Sequence, residues 1–111
     1  MEIKVIGADK LEKKLKDLAS MEKVKNAVRL NGSELQQGAM QYAPVKTGNL
    51  KQSIRLQIRD SGMEAAVHPT ADYAEYVEFG TRFMDAQPYL LPALEVQLPI
   101  FRADLKRALE D

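Results

Sequence analysis

The strongest constraint on the fold is a long apolar stripe near the C-terminus. Its members recur at steps of three and four residues, and they are Leu91, Leu94, Leu98, Phe101, Leu105 and Ala108. This spacing predicts an amphipathic α-helix that must bury one side against other elements. Pro88 or Pro92 can open the helix, because proline is tolerated in a first turn. Pro99 lies inside the pattern and removes a backbone donor, so we expect a kink or break near Gln97.

Two helical patterns occupy the first third of the chain. A short one contains Leu11, Leu15 and Leu18, with Asp9 as a candidate N-cap. A longer one runs from about Met21 to Tyr42 with Ser20 as a candidate cap, and its predicted apolar face consists of Val24, Val28, Leu35, Ala39 and Tyr42.

Two glycines weaken the longer helix. Gly32 and Gly38 each cost about 1 kcal/mol relative to alanine in a helix interior. Either the helix breaks near Asn31 and Gly32, or tertiary packing supports it. Pro44 should end it by Ala43, because the residue before a proline is pushed out of the helical region.

Three segments show the alternation of a half-buried strand. From Glu2 to Ile6, Ile3 and Val5 alternate with charged residues, and Gly7 ends the run. After a predicted loop from Pro44 to Asn49, the pattern resumes at Ser53 to Arg59, with Ile54, Leu56 and Ile58 on one face. Turn residues 60–62 then lead into Met63, Ala65 and Val67, which predicts a β-hairpin.

The segment from Asp72 to Gly80 is open to two interpretations. As a helix, it would have a capping box of Asp72 and Glu75, an apolar pair at Tyr73 and Val77, and Gly80 as its stop. It could also be a strand. The order of strand, helices, hairpin and helix predicts an α+β fold with a small, mainly antiparallel sheet. The length of 111 residues fits one domain, residues 1–111.

Composition excludes several classes of function. Sixteen basic and sixteen acidic residues cancel, so no overall field attracts the chain to nucleic acid or to an anionic membrane. The chain has no cysteine, which removes disulfides and thiolate chemistry. No signal region and no run of about 18 apolar residues is present, so we expect a soluble intracellular product without membrane contact.

Few residues carry the signature of a reaction. His68 is the single histidine and has no second ligand beside it, so we predict an exposed structural residue. Asp72, Glu75 and Glu78 could share a helical face and bind a divalent cation or act as acid and base. We interpret them as a capped, solvated face, because no pocket or partner accompanies them. We predict no catalytic residue, no metal and no cofactor.

The order Lys46, Thr47, Gly48 is reminiscent of a phosphate loop. A phosphate loop needs two earlier glycines and a following helix, whereas here we expect a strand to follow. We therefore interpret Thr47 and Gly48 as a turn and Lys46 as exposed. Asn31 begins a glycosylation sequon, which has no meaning without a signal peptide.

A basic row is formed by Lys51, Arg55 and Arg59. These side chains could contact phosphates of DNA. A basic strand face is more often solvated or paired with acidic residues across a subunit interface, and we favour that interpretation.

Three phrases occur in a characteristic order, and they are APVKTGNLKQSI at 43–54, YAEYVEFGT at 73–81 and QPYLLPAL at 87–94. In this order they closely resemble the phage tail-component family typified by gene product ten of phage HK-ninety-seven. The N-terminal strand, glycine and leucine-rich helix resemble the family too, so the similarity extends over nearly the whole chain. We expect the matching residues to determine the fold or form subunit interfaces, and they are Pro44, Thr47, Gly48, Leu50, Tyr73, Tyr76, Glu78, Gly80, Thr81, Pro88 and Pro92.

The resemblance implies a non-enzymatic structural component of a long-tailed bacteriophage or prophage. It implies a neck, head-tail joining or tail-completion protein that forms a homo-oligomeric ring at the top of the siphovirus tail and acts in virion assembly. Its partners would be other copies and other connector and tail proteins, with DNA passing through the channel but not bound specifically. Its place would be the virion, and the host cytoplasm during assembly. The loop from Pro44 to Asn49 and the segment from Arg82 to Gln87 are candidates for the ring contacts.

Two other classes remain open. The basic row, with Arg102, Lys106 and Arg107, could belong to a small nucleic-acid-binding module, although the neutral net charge weighs against it. A metal-dependent hydrolase would use Asp72, Glu75 and Glu78, and it is the weakest of the three hypotheses.

Overall fold

The computed structural model describes residues 1–7, 18–44 and 48–110. Its elements in chain order are β1 (Ile3–Ile6), α1 (Leu18–Tyr42), α2 (Gly48–Ser53), β2 (Ile54–Arg59), β3 (Glu64–Pro69), α3 (Ala74–Phe79) and α4 (Leu90–Leu109). The predicted α+β class is confirmed. Asp9, Leu11 and Leu15 of the predicted first helix lie outside the described residues, whereas Leu18 begins α1 and is exposed.

The sheet is antiparallel, in the order β1-β3-β2. The predicted hairpin of β2 and β3 is confirmed, and a 3₁₀ turn over Asp60–Gly62 connects its strands. On the inner face, Val5 lies opposite Ala65, and Leu56 lies opposite Val67. Ile58 was expected on this face but is half exposed, because β2 is an edge strand that is covered on one side only.

Helix α1 crosses the inner face of the sheet as one unbroken helix of 25 residues. The alternative of a break at Gly32 is wrong, and the reason is packing. A Cβ at Gly32 would lie 2.6 Å from the Cβ of Ala65, so glycine lets the helix backbone approach the central strand closely. Packing against fully buried Ala65 offsets the helix-propensity cost of this glycine.

A buried polar network joins α1 to α4. The Nδ2 of Asn31, which has no solvent exposure, donates to the carbonyl of Ala27 and to Oδ2 of Asp104, both at 2.8 Å. Gln97 Nε2 donates to Asn31 Oδ1 at 2.5 Å and to Glu34 Oε1 at 3.0 Å. Because an unpaired amide would be costly here, the network fixes how the two helices align. The asparagine of the sequon is thus a core residue.

The ends of α1 correct two predictions. Ser20 is not an N-cap, since the helix already begins at Leu18. Tyr42 does not belong to the buried face and is half exposed, because the last turn extends beyond the core. The predicted stop is confirmed, with the last helical residue two positions before Pro44.

Helix α2 replaces part of a predicted loop and the first residue of a predicted strand. Leu50 is fully buried beneath it, and Ser53 Oγ donates to the carbonyl of Leu50 at 2.8 Å. The expectation that a strand directly follows Gly48 is therefore wrong, and β2 begins at Ile54. The two missing glycines still separate this segment from a phosphate loop.

Most of the predicted stripe of α4 faces the core: Phe101 is buried and Leu94, Leu105 and Ala108 pack against the core. The N-terminal part of the helix differs from the prediction. The fully buried residues of α4 are Leu90, Ala93, Gln97 and Phe101, whereas Leu91 is 47% exposed. The expected break near Gln97 is absent, and the helix continues through Pro99. An interior proline removes one backbone donor and crowds the carbonyl four residues earlier, and the burial of Gln97 and Phe101 on either side of Pro99 offsets this cost.

Two glycines of α1 should respond oppositely to alanine. Gly32→Ala should lower the free energy of unfolding by about 1–3 kcal/mol through overpacking against Ala65. At Gly38 the nearest atom to an added Cβ is Ala93 Cβ at 3.5 Å, an ordinary contact. Gly38→Ala should therefore raise the free energy of unfolding by up to about 1 kcal/mol. Urea denaturation of both variants tests this, and a gain at both positions would contradict the close approach at Gly32.

Candidate assembly surface

Helix α3 turns two aromatic side chains outward. Ala74, Val77 and Glu78 are buried, whereas Tyr76 and Phe79 are mostly exposed. The helical interpretation of this segment is confirmed and the strand alternative is wrong. The predicted capping box is also wrong, because Tyr73 holds the N-cap position and no side chain caps the helix.

Glu78 connects α3 to the start of α4. Its side chain is buried, with the residue 3% exposed, and Oε1 accepts from the backbone N–H of Tyr89 at 3.1 Å and of Leu90 at 2.8 Å. Oε2 accepts from the N–H of Leu91 at 3.2 Å. The first N–H groups of a helix have no partner within it and carry partial positive charge, so a carboxylate there is stabilising. Glu78 therefore caps the N-terminal end of α4, although it lies eleven to thirteen residues earlier in the sequence than the amides it binds.

The loop between α3 and α4 is held at its base. Gly80 has φ 78°, and a Cβ there would lie 2.7 Å from the nitrogen of Ala86, so a side chain is excluded. Gln87 N–H donates to the carbonyl of Val77 at 2.8 Å. Thr81 and Met84 exchange two backbone hydrogen bonds, at 2.8 and 3.3 Å. We call residues 81–84 the Phe83 loop.

The Phe83 loop carries an aromatic side chain into solvent. Phe83 is 90% exposed, and its backbone N–H donates to Thr81 Oγ1 at 3.1 Å. The guanidinium carbon of Arg82 lies 5.6 Å from the centroid of the Phe83 ring, a cation–π contact. Within the described part of the chain, Arg82 forms no ion pair.

An apolar groove of about 280 Å³ lies between the N-terminus and the two helices. We call it the N-terminal groove, and its lining residues are Met1, Glu2, Ile3, Glu78, Phe79, Leu90 and Leu91. Met1, Phe79 and Leu91 are partly exposed apolar side chains, which explains the apolar character of its walls.

A comparison with protein families identifies the chain. The model of the family described as "Bacteriophage HK97-gp10, putative tail-component" matches residues 8–80. The chain belongs to this family. Neither the curated proteins nor the solved structures include a significant match. The HK97-gp10-like match confirms the resemblance and makes the chain a phage tail component. It covers α1 to α3 and ends at Gly80, so the Phe83 loop and α4 lie beyond it.

The predicted site residues of this HK97-gp10-like chain fall into two groups. Several have structural positions: Leu50 is fully buried, Tyr73 packs against the core, and Glu78 and Gly80 hold the connection to α4. Tyr76, Thr81 and Pro88 are exposed, Pro44 and Pro92 are half buried, Gly48 begins α2, and Thr47 lies outside the described residues.

Sequence reasoning missed Phe79, Phe83 and Leu91 as exposed apolar residues. A signal was available for Phe83, because an aromatic residue between Arg82 and Asp85 after a glycine stop is unusual in a loop. Leu91 was assigned to the core, because the sequence does not specify which side of the first turn of α4 is buried.

The basic row of the HK97-gp10-like chain is partly neutralised on the outer sheet face. Arg59 Nη1 and Nη2 donate to the two carboxylate oxygens of Glu2, both at 2.9 Å, and Glu64 lies at 3.4 Å. The hydrogen bond from Arg59 lowers the pKa of Glu2 from its ordinary value. Arg55 donates to the backbone carbonyl of Gln52. The acidic partners belong to the same chain: Glu2 directly precedes β1 and Glu64 begins β3.

The other residues considered for chemistry, His68, Asp72, Glu75 and Glu78, lie in different environments. His68 was expected to be exposed but is half buried, because it lies on the central strand opposite Arg55, and its Nδ1 has no hydrogen-bond partner. Asp72 and Glu75 are exposed while Glu78 is buried. Among the described residues, no group of three or more His, Asp or Glu side chains could hold a metal ion.

The described helices were also compared with the requirements of a membrane span. None of them is both long enough and apolar enough to cross a bilayer.

Glu78→Ala should lower the free energy of unfolding by about 2 kcal/mol, because it leaves buried amide groups at the start of α4 without an acceptor. Glu78→Gln keeps one carbonyl oxygen and should lose less. Glu75→Ala, on the exposed side of the same helix, is the matched control and should change stability by less than about 0.5 kcal/mol. Chemical denaturation measures all three, and equal losses for Glu78→Ala and Glu75→Ala would exclude the cap.

Tyr89 should make the protein lose stability at alkaline pH. Its buried hydroxyl donates to the carbonyl of Ala74 at 3.3 Å, and burial, with the charge of Glu78, raises its pKa above the ordinary 10.0. Above about pH 10 the unfolded chain releases this proton while the folded chain keeps it, so stability present below pH 10 is lost as pH rises. Tyr89→Phe should show a shallower decline in thermal midpoint above pH 10. Tyr42→Phe, at an exposed tyrosine, should decline as the wild type does.

Proposed function

We propose that this chain is a head-tail joining or tail-completion protein, a subunit of a ring at the top of the tail of a long-tailed phage or prophage. It acts by shape and by contacts with neighbouring subunits, without turnover or cofactor. The observation that carries the proposal is the display of apolar side chains around α3 and the Phe83 loop.

Apolar groups are concentrated where the chain connects α3 to α4. Phe83 is 90% exposed, and Tyr76, Phe79, Met84 and Leu91 are exposed to lesser degrees. Clusters of this kind on a small protein mark surfaces that other proteins cover. Backbone hydrogen bonds already order the Phe83 loop, so little conformational entropy remains to be lost on binding.

A ring needs two different complementary surfaces on each subunit. One patch must bind a different patch on the next copy, and rotational closure then sets the number of copies. The Phe83 loop and the N-terminal groove are two such surfaces. Residues 81–88 are all exposed, which supports the prediction that residues 82–87 contribute to ring contacts.

A further groove supports contacts with other tail or connector proteins. It lies between α1 and α4, where the exposed apolar side chains are Tyr42, Val96 and Ile100 and the polar rim includes Glu34 and Gln41. A protein between head and tail must contact components above and below its ring as well as its own copies. The chain therefore carries more apolar surface than a ring contact alone requires.

The channel role is compatible with the charge distribution. The net charge is zero, and Arg59 is paired with Glu2 within the chain. DNA can pass such a surface without being held. The alternative, a small nucleic-acid-binding module, depends on Lys51, Arg55, Arg102 and Lys106, which are exposed.

The proposed function is tested on particles of the parent phage, made with and without this gene. Immunogold label should lie at the head-tail junction, and particles lacking the protein should appear as separated heads and tails. A plasmid copy of the gene should restore joined particles.

Normal infectious particles without the protein would overturn the proposal. The isolated protein provides the control for the alternative. Tight binding to duplex DNA that weakens steeply with added salt would support the nucleic-acid module instead.

A further inference from the structure

We propose that Phe83 of one copy inserts into the N-terminal groove of the next copy, with Arg82 reaching Glu2 at the rim. This inference rests on the proposed function, because it names the contact by which subunits of the ring bind each other. The occupant of the groove is therefore a second copy of this chain.

The Phe83 loop has the form of a preorganised knob. Its ring is 90% exposed in a segment whose backbone is held by the Thr81 to Met84 hydrogen bonds and by the turn at Gly80. The guanidinium of Arg82 lies over the ring. Aromatic and arginine side chains of this kind dominate the energetics of protein interfaces when they enter a pocket.

The N-terminal groove has the size and polarity to receive a phenyl ring. A cavity of about 150 Å³ lined by apolar side chains can hold benzene, and this groove measures about 280 Å³. The carboxylate of Glu78 at its base already accepts three backbone hydrogen bonds, so it does not require water or a cation. The remaining walls, Met1, Phe79 and Leu91, are apolar.

The charges of the knob and the rim are complementary. The guanidinium of Arg82 has no carboxylate partner within the described residues. Glu2 is one of the residues that line the groove, and its carboxylate is a third exposed, with Arg59 and Lys4 Nζ, 4.0 Å from Oε2, as its neighbours. Each of its oxygens accepts one hydrogen bond from Arg59 and has capacity for another.

The two surfaces cannot satisfy each other within one chain in this conformation. Phe83 is exposed and is not among the residues that line the groove. A Phe83 loop and a groove formed by different residues of one subunit can bind the groove of one neighbour and the Phe83 loop of another, and this head-to-tail contact repeats from copy to copy until it closes. In such a ring, one neighbouring copy covers the Phe83 loop of each subunit and the other neighbouring copy covers its N-terminal groove.

Cysteine cross-linking tests the contact directly, because the chain contains no cysteine of its own. The double variant Arg82→Cys with Glu2→Cys keeps Phe83 and places one thiol on each side of the proposed contact. Expressed from a plasmid in hosts of the gene-deleted phage, it should give joined particles that yield a ladder of disulfide-linked multimers after oxidation. Arg82→Cys with Lys106→Cys, whose second thiol is exposed near the C-terminal end of α4 and so far along the helix from Leu91, should yield only monomers.

Each outcome of the cross-linking bears on the proposal. A ladder with the Glu2 pair and none with the Lys106 pair supports it. Dimers alone would replace the head-to-tail contact with a symmetric exchange, and the absence of cross-links in joined particles would overturn it.

Adding Phe83→Ala to the double-cysteine variant tests whether the Phe83 side chain itself holds the contact or whether the two thiols are merely close to each other. Cross-linking should fall roughly tenfold or more, while thermal stability stays unchanged, because Phe83 is exposed. Leu30→Ala removes an exposed apolar side chain from α1 and should leave the ladder intact.

The two proposals fail in different ways. Joined particles with Phe83→Ala, together with separated heads and tails when the gene is deleted, would overturn the Phe83 contact and leave the joining role standing. If the cross-linked ladder forms but particles lacking the gene are normal, the Phe83 contact stands and the joining role is overturned.

Discussion

The rest of the structure depends on the hydrogen bonds that the first turn of α4 donates to the carboxylate of Glu78 on α3. This carboxylate binds three consecutive amide groups from within the core, so it sets where α4 begins. That starting point determines which side of α4 is buried and brings Gln97 to Asn31 on α1. The same bonds hold the start of α4 against α3, and the residues between the two helices, 81–88, are all exposed. Core alignment and the display of Phe83 therefore share one cause.

The HK97-gp10-like family is a family of tail components, and this chain combines its structural and binding features in one connection. Gly80 allows the chain to fold back, and Thr81 and Met84 close the turn. These contacts lie next to the N-terminal groove, where Phe79 and Leu91 are partly exposed. The connection between α3 and α4 thus presents exposed apolar side chains on a backbone that hydrogen bonds hold in place.

Sequence patterns predicted the elements better than their boundaries or orientations. The strand at Ile3, the hairpin and both long helices were predicted because apolar periodicity is a local property. Whether α1 breaks at Gly32 and which carboxylate acts as a helix cap depend on residues that are remote in sequence, so the local patterns around Gly32 and Asp72 gave the wrong prediction. Gly32 depends on Ala65, which is remote in sequence, and the carboxylate that acts as a cap is Glu78, which caps α4 and not its own helix. Leu91 was assigned to the core because the side of the first turn of α4 that is buried is invisible in its spacing.

The sequence by itself determined the fold class, the order of the elements, the absence of cysteine chemistry and, through its three phrases, the family. Each of these follows from neighbours along the chain or from residue types. Only the tertiary structure decided that Glu78 caps α4, that Asn31 and Gln97 are buried partners, that Arg59 is neutralised by Glu2, and that Phe83 remains in solvent beside an apolar groove. The physical reason is that burial and hydrogen bonding depend on what packs from distant parts of the chain, which no local pattern records.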